Sequence, residues 1–352
     1  MRVALIAPGP GSVGGQEVQA AAIQNHLQAE GHQVTRIPID PPFPSSLSWL
    51  RRWPYARTLL NQALYVPSLR RLREVDVAHA FSASFWSFLL APTPAIAVAR
   101  HYGKRVVLHY HSGEAETHLA RWGLLVHPFL RRVDEIVVPS EYLRDVFARH
   151  GHRARVIRNI VDTGRFRFRD RPPLQPRFLS ARNLEPHYRV DVTIRAFSQL
   201  KKRYPEATLT VAGSGSEEQR LRGLARGLGA GDVRFLGAID PGRMPALYEE
   251  ADILLNASAV DNQPVSVLEA FAAGLPVVST ATGDLGNIIR HRTTGLLVPV
   301  ADPEAMASAA SYFLGNPNRA HSIARSARQE AEKYSWEHVR KSWLAVYTGR
   351  PA

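Results

Sequence analysis

The sequence predicts an α/β fold of two doubly wound, mostly parallel sheets, each covered by helices on both faces. Three observations carry this. Short apolar runs alternate with helix-like stretches along almost the whole chain. The alternation breaks once, in the polar, proline-rich stretch 162–176, and then restarts. The length of 352 residues suits two domains of ordinary size. In such a pair the ligand is expected in a cleft where the strand C-termini of the two sheets face one another.

In chain order, the first half offers the strands RVALIA, QVTRIPI, VDVAHAF, RVVLHYH, EIVVPS and ARVIRNI, with helices among them at 17–29 and 142–150. Residues 162–176 read as a linker. The second half offers RFLSA, a helix over 190–203, ATLTVAG, a helix over 217–228, VRFLG, a short helix over 244–250, DILLNAS, PVVST and TGLLVPV, then helices to the end. The domains are therefore set at 1–165 and 166–335, with a terminal helix at about 336–352 placed to pack back on the first.

Composition excludes several classes. With 45% hydrophobic and 21% charged residues the chain is an ordinary globular protein, and with no cysteine it has no disulfide, thiolate metal site or cysteine nucleophile. MRVALIAP is too short and too soon interrupted by proline for a signal peptide, so a cytoplasmic protein is expected. Residues 80–99 are uncharged, but Pro92 and Pro94 divide them into strand end, loop and helix start, not a membrane span. The formal net charge is +13, of which +9 falls in residues 1–170. Part of that excess lies in 51–76, where Arg51, Arg52, Arg70, Arg71 and Arg73 flank Trp53, Tyr55, Leu59, Leu60, Leu64 and Tyr65. This mixture suits an anionic membrane surface; a solvated arginine-rich face is the plain alternative. No nucleic-acid-binding signature occurs, so nucleic acid is not an expected partner.

The stretch ALIAPGPGSVGGQEV holds a literal G-x-G-x-x-G in Gly9, Gly11 and Gly14, and Asp40 ends the next strand about where a dinucleotide fold places its ribose acid. The phasing argues against NAD: Ala7 and Pro8 separate the strand from Gly9, and Pro10 has no N–H to offer a pyrophosphate. Gly14 and Gly15, directly before a helix, allow close approach of a phosphate or sugar.

The most informative stretch is DILLNASAVDNQPVSVLEAFAAGLPVVSTAT (252–282). A strand leads through a polar loop to a helix whose first turn is Pro264, Val265 and Ser266. Such a helix start presents free N–H groups and a positive dipole end to an anion, and diphosphate is the natural guest. Glu269, in the second turn, is placed either to accept hydrogen bonds from ribose hydroxyls or to cap its own helix; the pattern alone leaves both open.

Asp261 to Glu269 resembles the Glu-x7-Glu signature of retaining family-four glycosyltransferases, here as Asp-x7-Glu. RNIVDTGRF (158–166), LSARNLEPHYRVDVTIRAF (179–197), TVAGSGSEEQRL (210–221), VRFLG, GLPVVSTATGDLGNII, TGLLVPVADPEAMA and GGQEVQAAAIQNHLQAEGHQV (14–34) match that family in order, nearly end to end. The resemblance implies the GT-B fold, with an N-terminal Rossmann-like acceptor domain and a C-terminal Rossmann-like donor domain. It implies a retaining, metal-independent hexosyltransferase moving sugar from a UDP- or GDP-type nucleotide-diphosphate donor to a lipid-linked or glycan acceptor, as in polysaccharide biosynthesis; with the basic first half, a peripheral place at the inner membrane face is expected. A nucleotide-sugar epimerase or a non-catalytic nucleotide-sugar-binding protein of the same fold is the alternative. No cofactor or metal beyond the nucleotide sugar is implied.

The resemblance also assigns residues. Glu269 would hold the ribose, Arg182 would neutralise the departing diphosphate, and the amides near Val265 and Ser266, after Pro264, would cradle it. Gly14 and Gly15 would approach the sugar phosphate, Gly213 belongs to the donor-binding set, and His111 holds the position of an active-site histidine near the donor sugar. A structural role for His111 stays open. His109 and His111, two apart, are expected on opposite strand faces and so not in a joint metal site. Three departures stand out: Asp261 is shorter than glutamate, His187, Tyr188 and Arg189 stand where a phosphate-binding lysine is expected, and Asn262 and Gln263 replace a Gly-aromatic pair. Arg189 could supply the missing charge, and Asn262 and Gln263 could bond sugar hydroxyls.

Overall fold

A computed structural model of the chain describes residues 1–10, 14–171 and 173–350, apart from the side chains at 48 and 51. It divides into two compact units, Met1–Arg158 with Val339–Ala352, and Asn159–His338. In the first, strands β1 (Arg2–Ala7), β2 (Gln33–Pro38), β3 (Val77–Ser82), β4 (Arg105–Tyr110), β5 (Glu135–Val138) and β6 (Arg155–Val156) form one parallel sheet in the order β2-β1-β3-β4-β5-β6. Its helices are α1 (Gly15–Ala29), α2 (Pro54–Ser68), α3 (Trp86–Leu90), α4 (Pro92–His101), α5 (Ala115–Leu130) and α6 (Glu141–Arg149).

The second unit repeats the plan. Strands β7 (Arg177–Ala181), β8 (Thr208–Ala212), β9 (Val233–Gly237), β10 (Ile253–Asn256), β11 (Val277–Thr280) and β12 (Leu296–Val298) are parallel in the order β12-β11-β10-β7-β8-β9. Around them lie α7 (Val190–Arg203), α8 (Glu218–Gly227), α9 (Met244–Glu250), α10 (Val265–Ala273), α11 (Leu285–Ile288), α12 (Pro303–Gly315) and α13 (Pro317–Glu332). Helix α14 (Trp336–Thr348) carries the chain back, and from Val339 onward it belongs to the first unit.

The strand sequences explain the parallel arrangement. β3 is buried at all six positions and β1 at five of six, as strands covered by helices on both faces must be, so they read as continuous apolar runs. Local signals set the helix ends. Ser140 Oγ accepts from Leu143 N at 3.2 Å to start α6, Asp302 Oδ1 accepts from Ala305 N at 2.8 Å to start α12, and α10 stops at Gly274 in the left-handed region. Residues 80–99 divide at the prolines into the end of β3, α3 and α4, and among the described residues no helix is long and apolar enough to cross a membrane.

Two sequence expectations shift. ARVIRNI forms only the two-residue β6, because its partner β5 is itself only four residues long. The boundary read at 165/166 lies at 158/159, because Val161 and Phe166 are buried in the second unit's core and Val161 N donates to Tyr334 O at 2.9 Å.

Residues 162–171 are accordingly a strap on the second unit. Arg171 is buried and donates to the carbonyls of Ala251 (3.0 Å), Ala273 (2.7 Å), Tyr248 (2.8 Å) and Arg169 (3.0 Å), while burial lowers its guanidinium pKa to about 10. Arg328 Nη1 reaches the carbonyls of Thr163, Phe166 and Ala272 from α13. Arg171→Ala leaves four carbonyls of the second unit without this donor and is expected to cost about 3 kcal/mol in urea unfolding. An unchanged midpoint would show that the strap contributes nothing to stability.

Candidate functional site

In the second unit the loops after β7 and β10 bring together most of the residues singled out in the sequence. Arg182 follows β7 directly, and its N–H donates to Ala212 O at 3.1 Å. Gly213 is required there: its φ is +145°, and a Cβ would lie 2.0 Å from the Arg182 carbonyl oxygen. The Arg182 guanidinium lies 4.0 Å from the centroid of the Tyr188 ring, and Nη2 pairs with Asp261 Oδ2 at 2.6 Å. Both side chains of this pair are largely buried. Arg182 Nε is buried with no hydrogen-bond partner among the described residues.

Asp261 sits on a loop built for it. Asn256 Nδ2 donates to Ser279 Oγ at 3.0 Å, Ser258 Oγ to Asn256 Oδ1 at 2.9 Å and Thr280 Oγ1 to Ser258 O at 2.6 Å, tying the ends of β10 and β11 together. Gly283, at φ +55°, allows the Asp261 backbone to pass; a Cβ there would lie 1.9 Å from Asp261 O. Asn262 N donates to Asp261 Oδ1 at 2.9 Å. Gln263 is committed elsewhere: its Oε1 accepts from Asn159 N at 2.6 Å and its carbonyl from Asn159 Nδ2 at 2.9 Å. That bond was legible only once 159 and 263 were seen side by side.

Pro264 is the residue before α10 and not part of its first turn; the helix begins at Val265. The N–H groups of Val265 and Ser266 therefore have no carbonyl within their own helix, and Ser266 Oγ is buried without a partner among the described residues. Glu269 does not cap α10, which has no side-chain cap. Its Oε2 accepts from the hydroxyl of buried Tyr248 at 2.9 Å, and that hydroxyl also lies 3.1 Å from Ser266 O. Burial pushes the Glu269 carboxyl up to about 7, with the Tyr248 bond and the charge of Arg165 opposing. Tyr248 in α9 escaped the sequence reading because nothing in MPALYEE marks it.

Arg189 does not stand free. It is the left-handed residue before α7, φ +49°, and its guanidinium pairs with Asp191 at 3.1 and 3.3 Å. The His187 carbonyl accepts from Ala259 N at 2.8 Å, holding this segment beside the 257–264 loop.

The remaining expected residues lie in the first unit. Gly14 precedes α1, its carbonyl accepting from Glu17 and Val18, and Gly15 opens the helix; Gly11 lies outside the described residues. Asp40 accepts from Gly9 N, so the acid of the glycine string latches its own turn. His111 follows β4, with its Nε2 buried and without a partner among the described residues. Its ring centroid is 4.0 Å from that of His109, correcting the expectation of opposite faces: residues two apart on a strand share a face. His79 on β3 joins them, 5.3 Å from His109, with its Nδ1 2.9 Å from Tyr347 OH on α14 and its ring stacked on Trp343. Burial drives His79 and His111 down to about 3 and His109 well below the ordinary histidine value, mutual repulsion adding to it for His79 and His109. Among the described residues no group of three or more His, Cys, Asp or Glu could hold a metal.

Known proteins resemble this chain over both units. The model described as "Glycosyltransferase Family 4" matches residues 13–165, and that described as "Glycosyl transferases group 1" matches 165–330. The chain is 31% identical to glycogen synthase of Mycobacterium tuberculosis over 290 residues, covering 77% of this chain and 68% of that protein. It is 37% identical to a D-inositol 3-phosphate glycosyltransferase of Salinispora tropica over 174 residues, covering 47% of this chain but only 36% of the relative. In fold it is similar to sucrose-phosphate synthase of Thermosynechococcus elongatus (TM-score 0.81, 20% identity, 99% of this chain and 98% of that one). It is similar also to HepE of Anabaena solved with UDP and glucose (TM-score 0.76, 17% identity, 99% and 100%). The fold of the two sheets is GT-B.

Two pH effects of opposite sign follow. The three imidazoles, held neutral in the folded state, take up protons on unfolding, so their stabilisation is present above pH about 6.5 and is lost as pH falls toward about 3. Denaturant midpoints are expected to fall through that window at roughly 1.4 kcal/mol per pH unit for each proton, with His109→Phe removing one proton from the slope. Glu269 is raised, so its contribution is complete below about pH 4.5 and lost as pH rises through about 7. Glu269→Gln is expected to raise the thermal midpoint at pH 8 and leave it unchanged at pH 4; equal shifts at both would contradict a buried ionisable acid.

Proposed function

The chain belongs to the glycosyltransferases, and we propose that it moves a hexosyl group from a nucleotide-diphosphate donor to a lipid-linked or glycan acceptor with retention at the anomeric carbon. The observation that carries this reading is the cation and helix tip in one unit: Arg182, with a buried unpartnered Nε, beside the free amides of Val265 and Ser266 in the Asp-x7-Glu segment.

The chemistry asks for that arrangement. As the glycosidic bond to phosphate breaks, the sugar becomes oxocarbenium-like and negative charge grows on the leaving diphosphate. Arg182 and the α10 amides stabilise that charge, and Gly213 keeps Arg182 in place. In the free protein Asp261 neutralises Arg182; the incoming diphosphate competes for the guanidinium and leaves Asp261 to meet the sugar. Glu269, oriented by Tyr248, accepts the ribose hydroxyls. The leaving phosphate takes the acceptor's proton, so the chain needs no strong base of its own, and His111 is proposed for the active-site histidine role as a neutral imidazole.

The relatives guide the choice of substrates. The HepE structures hold UDP and glucose, so UDP-sugars come first among donors and GDP-sugars second. Glycogen synthase and the inositol-phosphate enzymes suggest glycan and polyol-phosphate acceptors, presented at the inner membrane face if lipid-linked. With Arg182 and helix amides supplying the positive field, no metal is required.

The purified protein is to be incubated with UDP- and GDP-sugars, with acceptors and membrane lipid, and the products read by NMR. Transfer giving the donor's anomeric configuration is expected, unaffected by chelator, with Arg182→Ala lowering turnover on the order of a hundredfold. An inverted product overturns retention. Conversion of donor alone indicates an epimerase, and tight binding without turnover a binding protein.

A further inference from the structure

The first unit carries a surface that the transfer chemistry does not use. From Pro41 to Arg73 the sequence holds six arginines and no acid. Within it, α2 is docked by one face: Tyr65 is buried with its hydroxyl donating to Ala91 O at 2.7 Å, and Asn61 Nδ2 donates to Ile39 O at 2.7 Å. The opposite face is apolar and bare. Tyr55 is 88% exposed, Leu59 73%, and Ala63 and Val66 continue the same stripe. At 100° per residue these four positions fall within roughly 80° of arc, so they form one face of the helix. Trp53 and Trp49, 65% and 58% exposed, extend it from the preceding turn.

Arginines stand at both ends of the helix that carries the stripe. Arg52 before the helix and Arg70, Arg71 and Arg73 after it are exposed, and none has an ion-pair partner among the described residues, although many exposed arginines elsewhere in the chain do. A helix whose outer face is apolar, led by tryptophans and flanked at both ends by uncompensated arginines, matches the boundary of an anionic bilayer: rings and aliphatic chains enter below the headgroups while guanidiniums meet lipid phosphates. A second copy of the chain is the wrong occupant, because a twofold contact through this face would set one acid-free arginine cluster against another.

We infer that the outer face of α2, with the turn before it, is a docking surface for membranes containing anionic lipid. It deepens the reading of a membrane-borne acceptor by naming the surface that meets the bilayer.

The full chain is to be sedimented with phosphatidylcholine vesicles, with and without phosphatidylglycerol. Binding to the phosphatidylglycerol vesicles that weakens with salt is expected. Arg70→Gln with Arg71→Gln should weaken it on the order of thirtyfold, at about fivefold per lost charge, and Tyr55→Ser with Leu59→Ser tenfold or more. All four side chains are exposed, so thermal midpoints and nucleotide-induced thermal shifts should not change. Absence of vesicle binding, equal binding to neutral vesicles, or concentration-dependent dimers abolished by Tyr55→Ser with Leu59→Ser would each overturn the inference. Vesicle binding without donor turnover would sink only the transfer reading, and turnover without vesicle binding only this one.

Discussion

The ion pair between Arg182 and Asp261 is the constraint from which the arrangement of the second unit follows. A guanidinium and a carboxylate removed from water must be held in good geometry or they destabilise the fold. The protein holds both backbones in place, with Gly213 leaving room for that of Arg182 and Gly283 for that of Asp261. Tyr188 covers the guanidinium face and the Asn256–Ser258–Ser279–Thr280 bonds stiffen the loop that carries the acid. A cation so fixed keeps its charge aimed at one place, which is what an anionic leaving group requires.

The same economy governs the other buried polar groups. Glu269 is kept near neutrality by burial and directed by Tyr248, whose hydroxyl is in turn subject to the charge of Arg182. Acid and cation thus belong to one electrostatic unit, though 87 residues separate them in sequence. In the first unit the imidazoles of His79, His109 and His111 share a face with Trp343 and Tyr347, so the returning α14 is packed on groups that burial holds uncharged. Arg171 serves the strap as Arg182 serves the site: one planar group answers several fixed partners, a task lysine could not perform.

Charge is divided by purpose between the halves. In the second unit the arginines that matter are inward and paired, whereas around α2 they are outward and unpaired beside exposed aromatic rings. In the proposed reading, inward arginines act on a donor's phosphate and outward ones on a charged surface. That division is why net charge alone, at +13, said little until its placement was known.

By itself the sequence determined the two parallel sheets, nearly all their strands and the family, and it singled out the segment that carries Asp261 and Glu269. These are local and periodic properties: buried parallel strands are continuous apolar runs, and a strand–loop–helix segment keeps Asp261 and Glu269 eight residues apart in any fold. Only the tertiary structure decided which of the named residues are already engaged. Gln263 spends its side-chain oxygen on Asn159, Arg189 pairs with Asp191, Asp40 latches Gly9, and Tyr248 reaches Glu269 from another helix. The physical reason is that hydrogen bonds and ion pairs join residues distant in sequence, and their partners exist only once the sheets have brought the loops together.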